Sequence, residues 1–332
     1  MNLALGQMLR LCSIITLLAL LAACGGNGQT AQQASTGAHP AGGSADKKEA
    51  SAPRKFKHVM GETEVPAQPQ RVVGLYLEDF SSALDVKPVM QTVVGSFTQQ
   101  YLENYTAGLP KLDTSAMNFE AVLEAKPDLI LLGFPDYGAE GKYEKFSKIA
   151  PTYVFDDDAA DDWRETLRTV GSLLGKSEQA EQLLKRYEEK AAQARKTLEQ
   201  SIGRETVALI RVHKKGMRLY GGPDGYSGSV LYKDLGLNPP NLVKSIAWTD
   251  DGGMKVISSE VLAQLDADHL FLVVDEGRSE QAKELMNSSV WKSIPAVKKG
   301  QVHEVTTDVW MTFGLLAYEK KIDDVLQTLA KK

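Results

Sequence analysis

Asn118-Phe119-Glu120-Ala121-Val122-Leu123 runs on through Lys126-Pro127-Asp128-Leu129-Ile130-Leu131-Leu132, and the pattern returns further along the chain. The second copy reads Ser258-Ser259-Glu260-Val261-Leu262-Ala263, then Asp266-Ala267-Asp268-His269-Leu270-Phe271-Leu272. One offset of 140 residues separates Glu120 from Glu260 and Asp128 from Asp268. Each copy predicts a capped helix, a break and a short apolar strand. Asn118 and Ser258 are good N-caps because their side-chain oxygens can accept a free N–H of the first turn. The runs Leu129–Leu132 and Leu270–Val274 suit strands buried on both faces, as in a parallel sheet.

The repeat extends both ways. Arg71–Tyr76 and Thr206–His213 read as the opening strands of two halves. Tyr143–Ala150 and Ser289–Lys299 read as helices leading into the strands Thr152–Phe155 and Gln301–Val305. Strand alternating with helix predicts an α/β fold with mostly parallel sheets, here in two Rossmann-like lobes. Between them, Ser177–Gln200 contains neither Gly nor Pro, and Ala180, Leu183, Leu184, Tyr187, Ala191 and Ala194 recur at helical spacing. A helix of roughly 24 residues would span about 36 Å, a stiff spine between lobes with the ligand cleft between them.

The N-terminus is a different kind of sequence. Arg10 is the lone charge before an apolar run from Leu11 to Leu21, too short for a bilayer, which needs roughly 20 apolar residues. The Gly-, Ala-, Ser- and Gln-rich stretch that follows cannot bury enough apolar surface to order itself. Residues 1–23 therefore read as a signal peptide, 24–55 as a flexible tether, 56–176 as the N-terminal lobe, 177–203 as the connecting helix and 204–332 as the C-terminal lobe. Only two cysteines occur, Cys12 and Cys24, so the folded part has no disulfide and no thiolate metal site. With 43% hydrophobic and 24% charged residues the remainder is an ordinary globular composition, and a net charge of −5 provides no basic field for nucleic acid.

Two resemblances sharpen this outline. Leu21-Ala22-Ala23-Cys24 resembles the lipobox of bacterial lipoproteins, which implies that Cys24 carries lipid and that the chain is held on the extracytoplasmic face of the cell membrane. Gly61-Glu62-Thr63-Glu64-Val65-Pro66 with Pro69-Gln70-Arg71-Val72-Val73, then Leu84-Asp85-Val86-Lys87-Pro88-Val89, Ala125-Lys126-Pro127-Asp128-Leu129-Ile130 and Trp291-Lys292-Ser293-Ile294, resemble in order the landmarks of the ferric-siderophore and cobalamin binding proteins of ABC importers. The resemblance covers nearly all of residues 56–330. It implies a monomeric binder, not an enzyme, that delivers a ferric siderophore to a permease driven by a cytoplasmic ATPase. It also implies that Glu120 and Glu260, one per lobe, dock that permease. Haem or a cobalamin is the alternative cargo; a lipoprotein hydrolase or a structural adhesin would be a different class of protein.

In open α/β sheets ligands sit beyond the C-terminal strand ends. The residues there form the candidate site. In the first lobe these are Tyr76, Tyr101, Phe134 and Tyr137. In the second they are Arg211 and His213 on one strand, Arg218 and Tyr220 returning on a hairpin, and Trp248, Arg278 and Trp310 in later loops. Arginine forks suit carboxylate and hydroxamate oxygens, and aromatic rings cover a carbon skeleton. Siderophore oxygens already ligate the iron, so no protein metal ligand or cofactor is expected. Cations concentrate in the second lobe, which favours a hydroxamate or citrate-hydroxamate cargo over a strongly anionic tris-catecholate. Gly225-Tyr226-Ser227-Gly228-Ser229 lacks the last glycine of a nucleophile elbow. The Asp156-Asp157-Asp158 cluster with Asp161-Asp162 lacks the Gly and Glu of a calcium loop. The five histidines are scattered singly, against a zinc or manganese site.

Overall fold

A computed structural model describes residues 52–222, 226–248 and 253–330. The leader, Cys24 and nearly all of the expected tether lie outside the described residues. The fold opens with an antiparallel hairpin of β1 (Arg54–His58) and β2 (Gly61–Val65), so Arg54 and Lys55, expected at the end of the tether, are already paired. Next come β3 (Val72–Leu75), helix α1 (Glu78–Ala83), β4 (Gln91–Val93), β5 (Lys111–Asp113), α2 (Phe119–Glu124), β6 (Leu129–Leu132), β7 (Thr152–Val154) and α3 (Trp163–Leu173). Strands β3, β6 and β7 form a parallel sheet in that order, and β4 pairs with β5 beside it. Every residue of β3 and β6 is buried, as their unbroken apolar runs require.

The spine, α4 (Ser177–Ile202), is a single uninterrupted helix. Ser177 is its first helical residue rather than its cap, and Gly203 ends it at φ 56°. Ala180, Leu184, Tyr187, Ala191 and Ala194 form its buried stripe. With 26 residues it runs about 39 Å.

Beyond the spine lie β8 (Val207–His213), β9 (Gly216–Tyr220), β10 (Met254–Ile257), α5 (Ser259–Leu262), β11 (His269–Val274), β12 (Val302–Val305), α6 (Thr307–Trp310) and α7 (Leu315–Leu329). The sheet order is β10-β9-β8-β11-β12. Strands β8, β11 and β12 are parallel and repeat the β3-β6-β7 arrangement, whereas β9 runs antiparallel to both of its neighbours, β8 and β10; the short Lys214-Lys215 turn can only reverse the chain between β8 and β9. The expected helix Ser289–Lys299 is two helices, Ser289–Ser293 and Pro295–Lys298. Ile294 is extended between them, as a residue before proline prefers.

The recurring residues do the same backbone work in each half. Asn118 Oδ1 accepts the Ala121 N–H at 3.1 Å, and Ser258 Oγ accepts that of Val261 at 3.4 Å. Asp128 accepts the Gln70 and Arg71 N–H groups at 2.8 and 2.9 Å, and Asp268 accepts that of Thr206 at 3.0 Å. Each aspartate thus ties the start of its lobe's second strand to the start of the first. Helix α7 then leaves the second sheet and packs on α4 and on α1 of the first lobe, joining the lobes a second time.

Candidate functional site

The C-terminal end of the first parallel sheet meets the segment Met311–Gly314. Tyr76 follows β3 directly in a left-handed conformation, φ 65°, unusual for a residue with a side chain. Its N–H is held by Thr92 Oγ1 at 3.1 Å, and its hydroxyl donates to the Met311 carbonyl at 3.3 Å. The ring lies 6.0 Å from Phe134, 5.6 Å from Phe313 and 6.1 Å from Phe97. Phe134 follows β6 and also meets Tyr137, at 5.8 Å. Gly133 permits this approach of strands, since a Cβ there would stand 2.8 Å from the Leu75 carbonyl oxygen. Three expected residues, Tyr76, Phe134 and Tyr137, therefore form one half-buried aromatic group. Phe97 and Phe313 complete it; sequence reading missed them because neither follows a strand of the two repeated sheets.

The second lobe presents cations. Antiparallel register places Arg211 directly opposite Arg218, with Tyr220 and His213 on the same face of the sheet. Like charges directly opposite destabilise a sheet. Asp275, the first residue after β11, offsets one of them: its carboxylate accepts Arg211 Nε at 2.7 Å and Nη2 at 3.0 Å. Arg211 Nη1 points to the Tyr220 hydroxyl at 3.5 Å. The guanidinium's pKa is raised: burial works against the charged form, but the hydrogen bonds to Asp275 and Tyr220 outweigh it. Arg218 has no such neighbour; its Nε is sealed from solvent without a hydrogen-bond partner among the described residues. His213 accepts the Lys215 N–H on Nδ1 at 3.1 Å, which leaves the Nε2 proton for Asp275 Oδ2 at 3.8 Å. Burial, followed by the Arg218 and Arg211 charges, lowers its pKa, so it is neutral at pH 7. Arg278 is half-exposed, and its N–H donates to the Asp275 carbonyl in the turn after β11.

Several expected site residues serve the fold instead. Trp310 is 0% exposed; its ring stacks on Phe271 at 4.9 Å and its Nε1–H donates to Asp324 at 2.9 Å, so it is a core residue. Tyr101 donates its hydroxyl to Asp79 at 2.8 Å and accepts from Gln99 Nε2 at 3.2 Å; burial and the Asp79 charge push its pKa well up. That hydroxyl belongs to the junction between lobes. Tyr220 is a buried ring whose hydroxyl meets Arg211. Trp248 is 39% exposed and lies tilted against Tyr232 at 5.5 Å, and no ring contact among the described residues joins it to the strand-end group. Ser227, in the elbow-like stretch, is fully buried and donates to the Trp310 carbonyl, which suits no nucleophile. Asp162 caps α3 through the Glu165 N–H at 3.1 Å.

Glu120 and Glu260 are exposed in the first turns of α2 and α5, in matching places of the two halves. The Ser258 hydroxyl is the main cause of a lowered pKa at Glu260. One surface hollow, of about 740 Å³, runs along the spine among Glu178, Gln182, Lys185 and Arg186 and has no aromatic in its lining. No helix of the described residues is long and apolar enough to cross a membrane, and no group of three His, Cys, Asp or Glu among them could hold a metal ion.

Two α/β lobes on one helix, with an aromatic group at the strand ends of the first and a cation pair near a strand end of the second, are the build of a solute-binding protein. The chain belongs to the Periplasmic binding protein family, which matches residues 101–309. It is similar to the "Iron(3+)-hydroxamate-binding protein FhuD" of Bacillus subtilis (strain 168), at 27% identity over 321 residues, 96% of this chain and 96% of the relative. Among solved structures it resembles a FhuD fold-family protein of Bacillus subtilis, described as a component of a Fep/Fec-like ferrichrome ABC transporter. The TM-score is 0.75 at 26% identity, covering 83% of this chain and 100% of the other. It also resembles Staphylococcus aureus SirA complexed with staphyloferrin B, with a TM-score of 0.70 at 29% identity, covering 83% of this chain and 98% of the other.

Proposed function

We propose that the protein captures a ferric siderophore of hydroxamate or citrate-hydroxamate type outside the cytoplasmic membrane and delivers it to an ABC permease. The observation that carries this reading is the pairing of Arg211 and Arg218 across β8 and β9, near the C-terminal end of a parallel strand, while Tyr76 and Phe134 follow the parallel strands of the other lobe. Two cations side by side cost stability; Asp275 offsets Arg211, and an oxygen-rich ligand can accept hydrogen bonds from Arg218. Arg218 is the cation left for it, with the aromatic group against the carbon skeleton. The printed functions of the relatives, iron(3+)-hydroxamate binding and the staphyloferrin B complex, support the same class of cargo.

Iron is cargo here, ligated by the siderophore. Lipid on Cys24 would hold a monomer at the membrane, and Glu120 and Glu260 would meet cations on two equivalent permease subunits. The test is a tryptophan-fluorescence titration against a panel of ferric hydroxamates, ferric citrate-type complexes, haem and a cobalamin. Saturable quenching by a ferric siderophore at micromolar or lower concentration is expected. Saturation by haem or cobalamin alone would overturn the choice of cargo.

A further inference from the structure

The second lobe holds an anion where an anionic cargo would be expected to meet cations. Asp275 is fixed from three sides. Its N–H donates to the Val212 carbonyl at 3.1 Å, extending the β8–β11 ladder by one residue. Its carbonyl accepts the Arg278 N–H at 2.9 Å, and its carboxylate is bidentate on Arg211. Arg211 and Asp275 are only 18% and 16% exposed, so the pair is neither a loose surface contact nor free to swing into solvent. Within this cluster Asp275 offsets one of the two paired arginine charges, that of Arg211, and leaves that of Arg218.

We propose that Asp275 is a specificity-determining residue: it tunes the strand end to a neutral or weakly anionic ferric complex and discriminates against strongly anionic ones. The inference rests on the reading of this strand end as the cargo site. Arg211 is held as a structural cation with only its Nη1 edge turned toward Tyr220, and Arg218 is left to meet the cargo. A ferric trihydroxamate is neutral and asks for hydrogen bonds more than for charge. A ferric citrate-type complex carries net negative charge and is repelled by Asp275. A unit charge within one screening length, at an effective dielectric between those of protein surface and water, is worth a factor of about ten in affinity per cargo charge.

The full chain is titrated with a neutral ferric trihydroxamate and with an anionic ferric citrate-type complex, at low and high salt. The ratio of the two affinities is the readout. Asp275→Asn keeps the side-chain shape and should raise the ratio, anionic over neutral, by about tenfold at low salt, with the gain shrinking at high salt. Arg211→Gln should move the ratio the other way. The double variant removes both charges and should return it to within about threefold of wild type, which a merely structural role would not predict. A ratio that stays put in both single variants, or a double variant as displaced as the worse single one, overturns the role of Asp275 and leaves siderophore capture standing. A wild-type protein that binds neither complex overturns both.

Discussion

Replacing Asp79 with alanine would remove the polar centre of the junction between lobes. Asp79, on α1 of the first lobe, is fully buried and caps α7 across the junction: it accepts the Leu316 N–H at 3.0 Å and the Ala317 N–H at 2.9 Å. It also accepts the Tyr101 hydroxyl at 2.8 Å, and it lies close enough to the buried Lys321 ammonium to favour that charge. Gly314 lets the backbone pass, since a Cβ there would collide with the carboxylate. Alanine leaves two N–H groups and a phenol, and it takes from Lys321, which burial lowers to about 7, the charge that favours its protonation; that amine keeps the Thr312 carbonyl at 2.7 Å and the Tyr318 ring at 4.3 Å. Each neutral donor stranded in the interior costs about 1–2 kcal/mol, so the total is about 3–5 kcal/mol. For a domain of this size that corresponds to a melting point lower by roughly 6–12 °C. Burial pushes Asp79 up to about 6 despite its hydrogen bonds, so its ionised form is costly. Whatever proton-linked stability it contributes is greatest below the unfolded value of 3.8 and lost as pH rises through about 6. Asp79→Asn, which keeps an acceptor, should therefore lose about half as much as Asp79→Ala. Urea unfolding at pH 7, followed by far-UV circular dichroism, measures both variants. A loss below about 1 kcal/mol for Asp79→Ala would show that water takes the carboxylate's place and that the junction does not depend on it.

Glu120→Ala combined with Glu260→Ala should leave siderophore affinity intact and abolish uptake in cells lacking the native protein, because both carboxylates are exposed at helix starts and neither belongs to the aromatic group or the arginine pair. Full uptake would return them to helix-terminus stabilisation. Cys24→Ala should cease to incorporate labelled fatty acid and should pass to the soluble fraction while still binding cargo; equal labelling would refute lipid attachment there. The hydrogen bond from Lys299, first, then those from Thr206, hold Asp268 down at about 2. Its contribution, about 1–2 kcal/mol after allowing for solvent screening, is complete above the unfolded value of 3.8 and is lost as pH falls through about 2. Asp268→Asn should therefore be less stable at pH 5 and flatter than wild type between pH 4 and 2 in urea unfolding.

What sequence reading could reach follows from the range of each interaction. The repeat was legible because Asn118, Ser258, Asp128 and Asp268 do local or strand-start work that needs one residue type at a fixed distance from an apolar run. The spine was legible from its stripe and the absence of breakers. The rule that strand ends face ligand proposes Tyr76, Phe134 and Arg211, and it equally reaches Asp275, which directly follows Leu270–Val274. It was overlooked because cations and aromatics were sought there, and a carboxylate matters only once Arg211, 64 positions earlier, is known to lie beside it. Trp310 and Tyr101 went the other way. Each sits in a stretch that reads as an exposed loop, and each is enclosed because α7 folds back across the lobes to place Leu316 and Ala317 on Asp79, more than 230 positions away. No periodicity encodes that return. Its consequence is mechanical: the lobes are joined by the spine and again by α7 with its buried acid, which resists their rearrangement. On the proposed reading of the strand ends, cargo then meets largely preset walls, and the fixed charges of Arg211, Arg218 and Asp275 select it.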